Sequence, residues 1–257
     1  MTDILRKIIR RETVYNKFNQ LTKIKSFEAG RTKKNIREVP KSWIKIHFKS
    51  YPRFEKKYLP RRLSLPRKSL EKLLIERRSS REFCSKQLSI EEISKILFFS
   101  SGIVEISADW KEGRRFYPSA GARYPLEIYP IILGVRGLKM GIYHYDVKRH
   151  ALEKILAGNF LKNVLNFINQ EWMRNASVII LISGVFERTR VKYGDRGYRY
   201  VLMEAGHVMQ NIYLLCTAMR LGCCAIGGFI DDGFNELLDL DGEKESVIYI
   251  AAIGRLS

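Results

Sequence analysis

Apolar residues recur at spacings of three and four from Val201 to Met219: Val201, Ala205, Val208, Met209, Ile212, Leu215, Cys216 and Met219. That period predicts a helix of about five turns with one wide buried face. No proline interrupts it. Gly222, just past Leu221, is the expected left-handed residue at its end. Gly206 and Ala218 thin the other side, so the helix is expected to pack on more than one neighbour. Lys192-Tyr193-Gly194 precedes it, and Ile226-Gly227-Gly228-Phe229 follows it.

The remaining pattern surrounds this helix. Ile4, Ile8, Ile9, Val14, Phe18 and Leu21 give residues 1–38 a helical period that Gly30 breaks. Residues 39–68 carry Pro40, Pro52, Pro60 and Pro66 with Trp43, His47, Phe48, Tyr51, Phe54 and Tyr58 between them. Proline at this density resists regular structure, while the aromatics favour burial. An extended arm lying over a globular body or a partner subunit is expected. The body begins near Ser69 with a short amphipathic helix carrying Leu70, Leu73 and Leu74. Ser89 and Glu92 form a capping box opening a helix through Phe99. Strands are expected at 128–133, 141–146, 151–156, 178–185 and 246–253. Helices are expected at 159–174 and 234–238. The fold class is α+β, a central β-sheet flanked by helices. The division is 1–68, a basic helical segment and arm, and 69–257, the main domain.

Charge changes the picture at the N-terminus. The 257 residues carry a net charge of +19. Residues 1–75 hold 22 Lys and Arg against 6 Asp and Glu, and the rest is nearly balanced. Such a segment suits nucleic acid or an acidic partner, or is simply a solvated face. No run of eighteen uncharged apolar residues occurs, and the start lacks a signal-peptide core, so a cytoplasmic protein without a membrane span is expected. Four cysteines and four histidines lack zinc-site spacing, which predicts no metal.

Several stretches carry chemistry. Arg77-Arg78-Ser79-Ser80-Arg81 sets three guanidinium forks and two hydroxyls in five residues, which suits a phosphate. Pro118-Ser119-Ala120-Gly121 and Gly227-Gly228 allow a flat ring to approach the backbone closely. Gly254-Arg255 offers one more fork. Neither a Walker loop nor a Gly-x-Gly-x-x-Gly motif is present, which argues against an ATPase or a Rossmann-type NAD-binding domain. The cysteines at 216, 223 and 224 read as small core residues, and His207 as a residue packed among helices.

In this order the motifs resemble the nitroreductase-like flavoprotein superfamily, and more closely its SagB-type, thiazole- and oxazole-forming dehydrogenase branch. The resemblance rests on Arg77–Arg81, on Pro-Ser-Ala-Gly-Ala-Arg-Tyr-Pro-Leu-Glu (118–127), on Gly-Ile-Tyr-His-Tyr-Asp (141–146) with Leu152-Glu153, on Lys192-Tyr193-Gly194, on Arg199-Tyr200, on Glu-Ala-Gly-His-Val-Met-Gln-Asn (204–211), and on Gly227-Gly228-Phe229. It spans about residue 40 to the end. It implies FMN at the seam of an intertwined homodimer. Arg77, Arg78, Ser79 and Arg81 would then meet the phosphate and ribityl chain, with Arg255 completing the phosphate site. Pro118, Ser119, Ala120 and Gly121 would line the isoalloxazine, partly from the other subunit. Gly227 and Gly228 would offer N–H groups near its N5 edge, and Gln210 and Asn211 lie on the central helix beside it. Lys192 and Tyr193 would act in azoline dehydrogenation, Lys192 lowering the Tyr193 pKa so that the phenol can take a proton. An azoline would come from a separate cyclising enzyme. The alternatives are an NAD(P)H-dependent nitro- or quinone reductase on the same fold, and a basic nucleic-acid or acidic-peptide binder with a vestigial flavin fold.

Overall fold

A computed structural model describes residues 14–24, 48–61, 63–107 and 113–257. Most of the predicted N-terminal helical segment, with Pro40, Trp43 and His47, lies outside them. Within 14–24 one helix forms, α1 (Val14–Leu21).

The centre of the molecule is an antiparallel sheet. Its strands are β1 (Lys56–Tyr58), β2 (Phe83–Cys84), β6 (Leu126–Ile132), β8 (Gly141–Asp146), β9 (Ala151–Ala157), β10 (Val178–Val185), β11 (Leu221–Ile226) and β12 (Glu245–Leu256). They run in the order β1-β9-β8-β6-β10-β12-β11, with β2 pairing on β12. Short pairs lie outside it: β3 (Leu88–Ser89) with β7 (Val135–Arg136), and β4 (Ile103–Ile106) with β5 (Gly113–Arg115).

The most apolar runs take the middle because both faces there are covered. Side chains alternate across a strand. Thus Val178, Ile180 and Ile182 of β10 join one core, and Ile179 and Leu181 join the other. The first core holds α3 (Ile90–Ser101) and α6 (Gly197–Ala218); the second holds α4 (Leu161–Ile168) and α7 (Asp231–Leu237). The helix expected over 159–174 is broken. It stops at Asn169, whose φ is +54°, and resumes as a short 3-10 turn at Glu171–Asn175. The small strands β2, β4 and β5 carry no two-residue period long enough to announce them.

Two shorter helices complete the body: α2 (Leu70–Glu76), which has no buried residue, and α5 (Glu187–Tyr193). The Ser89–Glu92 capping box forms at the start of α3: Glu92 N–H donates to Ser89 Oγ at 3.3 Å, and Ser89 N–H to the Glu92 carboxylate at 2.8 Å. The central helix α6 buries Val201, Ala205, Val208, Met209, Ile212 and Cys216. Its end differs from expectation. Arg220, with φ +57°, is the left-handed residue, and Gly222 lies inside β11. There the constraint is space, since a Cβ on Gly222 would sit 2.7 Å from the Phe83 ring. His207 is exposed rather than packed among helices. It shares an uncovered stripe of α6 with Leu202, Met203, Gly206 and Gln210.

Residues 48–59 lie over the body. Lys49 pairs with Glu245 at 2.6 Å, Tyr51 N–H donates to Glu153 at 2.8 Å, β1 adds an edge strand to β9, and Leu59 is buried. No helix among the described residues is long and apolar enough to cross a membrane.

Ile180 touches the first core from the middle of the sheet. Ile180→Ala should cost about 2–5 kcal/mol, read as a lower urea midpoint at unchanged slope.

Candidate active site

Among the described residues, the turn after Pro118 gathers three positive-φ residues within four positions. Gly121, Ala122 and Tyr124 all have positive φ, of 60°, 52° and 47°. For Ala122 and Tyr124 that conformation is costly, so the surroundings must hold it. Ser119 Oγ accepts from Tyr124 N–H at 2.8 Å. The Glu204 carboxylate, one face of α6, accepts from Ala120 N–H at 2.9 Å. On the other side stands the end of α5. A Cβ on Gly121 would lie 2.6 Å from Tyr193 Oη and 2.8 Å from Lys192 Nζ. The turn and the Lys-Tyr pair therefore lie side by side; a side chain at Gly121 would push the ends of Lys192 and Tyr193 aside, and its φ of +60° favours glycine.

Behind them runs a buried ionic ladder. Arg123 Nε donates to the Arg188 carbonyl at 2.7 Å, and Arg188 Nη1 donates to the Tyr124 carbonyl at 3.2 Å. Arg188 pairs with Glu127 at 2.6 Å. Glu127 meets His144 Nε2 at 2.9 Å, and His144 Nδ1 meets Glu153 at 2.9 Å. Lys56 closes the ladder on Glu153 at 3.0 Å. Burial opposes the charge on Glu127, yet Arg188 and His144 hold its carboxyl down to about 2. Burial also opposes a charged His144, and the two carboxylates outweigh it and raise its pKa.

The electrostatics correct one expectation. Burial raises the Tyr193 pKa, with Tyr200 adding to the rise, and the cation acting against it is Arg123. The Tyr193 ring stands edge-on to Tyr200 with centroids 5.0 Å apart, and Lys192 Nζ lies 5.5 Å from the Tyr193 ring centre. A phenol lowered by Lys192 is thus not what the chain contains. Glu204 is the group shifted toward neutrality. Burial drives its carboxyl up to about 7, against the bonds from Ala120 N–H and Ser119.

The other predicted residues gather at the far end of α6. Ser79 and Tyr213 hydroxyls bond at 2.8 Å, Tyr213 Oη accepts from Ala225 N–H at 2.7 Å, and the Arg77 guanidinium lies 5.3 Å from the Tyr213 ring centre. Ser80 N–H donates to the Cys223 carbonyl at 2.9 Å, and Arg81 bonds the Cys224 thiol. Arg78 lines an open cleft of about 620 Å³ together with Lys68, Lys72 and Arg220. Gly227 and Gly228 are exposed, with open space where a Cβ would be. Gln210 is exposed too. Asn211 instead ties the core, donating to the Ser100 and Phe116 carbonyls at 3.3 and 3.2 Å. Arg255 bonds Glu92 of the capping box at 2.9 Å.

One chain therefore holds two clusters. Glu204 and Tyr213, their anchors on α6, are nine residues apart, about 13 Å along the axis. Pro118–Gly121 with Lys192 and Tyr193 make the first cluster; Arg77, Ser79, Arg81, Gly227 and Gly228 lie about the second.

The sequence matches the Nitroreductase family model over residues 74–255. The chain belongs to the nitroreductase family. It is 41% identical over 189 residues to MJ1384 of Methanocaldococcus jannaschii, itself a candidate nitroreductase, covering 72% of this chain and 90% of that one. It is 30% identical to the Escherichia coli microcin B17-processing protein McbC over 67% of this chain and 64% of McbC. Among solved structures, a candidate nitroreductase from Anabaena variabilis superposes with a TM-score of 0.74 at 26% identity, over 94% of this chain and 47% of that one. A chain of the E. coli McbBCD microcin synthetase, solved with truncated pro-MccB17, gives 0.59 at 23% identity, over 99% and 92%. An FMN complex from Desulfovibrio desulfuricans gives 0.52 at 18%, over 74% and 88%. The last two show the same fold.

Glu204 and Arg123 stand in motifs that carry the resemblance but received no role of their own, and Arg115 and Tyr213 were not singled out by sequence reasoning. Glu204 had a usable signal, because it is a carboxylate beside Ala205 at the buried phase of α6, where acids are rare. Its raised pKa has a sign. The folded chain holds a proton that the unfolded chain releases near 4.5, so this contribution is present below about 4.5 and lost as pH rises through about 7. Urea unfolding at pH 5 and pH 8 should differ by up to about 3 kcal/mol from this group, and Glu204→Gln should remove that difference.

Proposed function

We propose that this nitroreductase-family chain is an FMN-dependent oxidoreductase that dehydrogenates an azoline to an azole, in the manner expected of the SagB-type branch. The observation that carries the reading is the proximity of Lys192 and Tyr193 to the open side of Gly121, which sets a proton-handling pair beside a turn able to accept a flat ring. The relationship to McbC supports it, and points to a substrate borne on a peptide and delivered by a separate cyclising partner.

The residues fit a flavin. Gly227 and Gly228 leave their backbone uncovered, Arg77 lies over the Tyr213 ring whose hydroxyl bonds Ser79, and Arg81 lies at the Cys224 thiol. Bound there, FMN supplies a two-electron hydride acceptor; the chain supplies position and proton handling. The positive-φ turn keeps a flat face bare, and Lys192 and Tyr193 reach its rim. The two clusters become one site if two copies pack α6 against α6. The uncovered stripe of Leu202, Met203, Gly206 and His207 supports that arrangement, with Gly206 permitting close approach. On this reading residues 69–257 carry the flavin, and the protein works in the cytoplasm.

A second reading, reduction of nitro compounds or quinones at the expense of NAD(P)H, is favoured by the 41% identity to MJ1384. The purified protein should be yellow, or become so with added FMN; rapid bleaching by NAD(P)H would favour this second reading. Under the first, Lys192→Ala and Tyr193→Phe should each lower azoline oxidation about 100-fold or more while flavin is retained. Met203→Glu should give monomers in sedimentation and lose flavin. A colourless protein that takes up no FMN contradicts both readings.

A further inference from the structure

Arg115, Tyr117 and Glu204 act on one another electrostatically, and Glu204 holds the Ser119–Gly121 turn; each of the three has a buried polar atom left open. Arg115 Nη2, Tyr117 Oη and Glu204 Oε2 have no hydrogen-bond partner among the described residues. Buried polar atoms are nearly always satisfied, so three on interacting groups mark a site whose chemistry the fold has left open. Glu204 is 2% exposed, and among the described residues no cation forms an ion pair with it, although the Arg115 charge acts on it. Its Oε1 accepts from Ala120 N–H, and the Ser119 hydroxyl also acts on the carboxylate.

Tyr193 stands on the other side of the same turn, one residue along. Its phenol, raised by burial, is a poor proton sink near neutral pH. A phenol in that state moves a proton only by passing its own onward. The acceptor must be close and out of bulk water. The groups around this position are Arg115 at the end of β5, Tyr117 just after it, Ser119 and Arg123 from the turn, Tyr193 and Arg188 from α5, Glu127 from β6 and Tyr200 one helical turn earlier on α6. Glu127 is committed to Arg188 and His144, and Glu204 is the carboxylate that acts on Tyr193.

We infer that Glu204 is the proton store of the site, receiving through Tyr193 and the Ser119 turn the proton that the substrate gives up. The inference rests on the dehydrogenase reading. The balance is simple: the azoline loses a C–H proton and, from the adjacent carbon, a hydride. A bound flavin would supply the two-electron acceptor for the hydride; the proton passes to Tyr193 oxygen as Tyr193 releases its own toward the Glu204 carboxylate. Glu204 then ends neutral and returns its proton to solvent between turnovers. A carboxyl poised at about 7 suits that cycle, since it can both take and release a proton at neutral pH. Glu204 acts through Tyr193 and is a positioning and proton-holding residue, distinct from the pair that meets substrate.

Glu204→Gln separates this role from anchorage, because the amide oxygen still accepts from Ala120 N–H. Two measurements decide. Infrared titration of the flavin-free protein should show a buried carboxylic C=O band that disappears near pH 7 and is missing in Glu204→Gln. In the FMN-loaded protein, Glu204→Gln should lower kcat about 100-fold with KM and flavin affinity within about twofold of the parent, and abolish the acid limb of the kcat profile. A Glu204→Gln enzyme within threefold of the parent and with the same pH profile overturns the inference, as does a Glu204 carboxyl already ionised at pH 5. The infrared arm needs no substrate, so a parent protein that binds FMN but fails to oxidise azolines sinks the dehydrogenase reading separately.

Discussion

A missing side chain at Gly121 is what lets the candidate site exist. With φ at +60°, Tyr193 Oη 2.6 Å from its Cβ position and Lys192 Nζ 2.8 Å away, another residue there would be strained and would displace the ends of the pair. The turn is tied to α6 through Ala120 N–H and Glu204, and to α5 through Arg123 and Arg188. Glu204 holds the turn from beneath through Ala120 N–H, and Ser119 holds it from within through Tyr124 N–H. The strain of two non-glycine residues at positive φ is offset by the bonds of Ala120, Ala122 and Tyr124 N–H and by the burial of Tyr124.

The ladder from Arg188 to Lys56 extends that constraint across the sheet. It crosses from β6 to β8 to β9, so the position of α5 is tied to the middle of the fold rather than to a surface loop. Breaking a buried pair leaves an uncompensated charge, which costs far more than the pair contributes when whole. Glu153 also bonds Tyr51 N–H, so the same ladder pins the segment that precedes β1. Site geometry and arm placement thus depend on one set of charges.

Much of this was legible in the residues. Continuous apolar runs at 128–133 and 178–185 marked strands buried on both faces, and the period of 3.6 marked α6. The Ser89–Glu92 box worked because capping is a local hydrogen-bond rule. What failed was non-local. Gly222 looked like a helix end, but its role is set by the Phe83 ring from a distant strand. His207 looked packable, but the stripe it occupies faces outward in a single chain. The Tyr193 pKa followed burial and Arg123, and sequence adjacency to Lys192 revealed neither. Glu204 and the Glu127–His144–Glu153 charges came together through sheet register, which no local pattern encodes.

The two clusters on α6 give the account its sharpest consequence. If the turn and Lys-Tyr pair of one copy meet the Arg77–Arg81 segment of another, each flavin site is built from two chains. Complementation tests this directly. Tyr193→Phe chains and Arg77→Ala/Arg81→Ala chains, each inactive alone, are mixed under conditions of subunit exchange. Shared sites predict recovery of about a quarter of parental activity, because half of the dimers are mixed and each mixed dimer has one intact site of two. No recovery, with mixed dimers demonstrably formed, would contradict it.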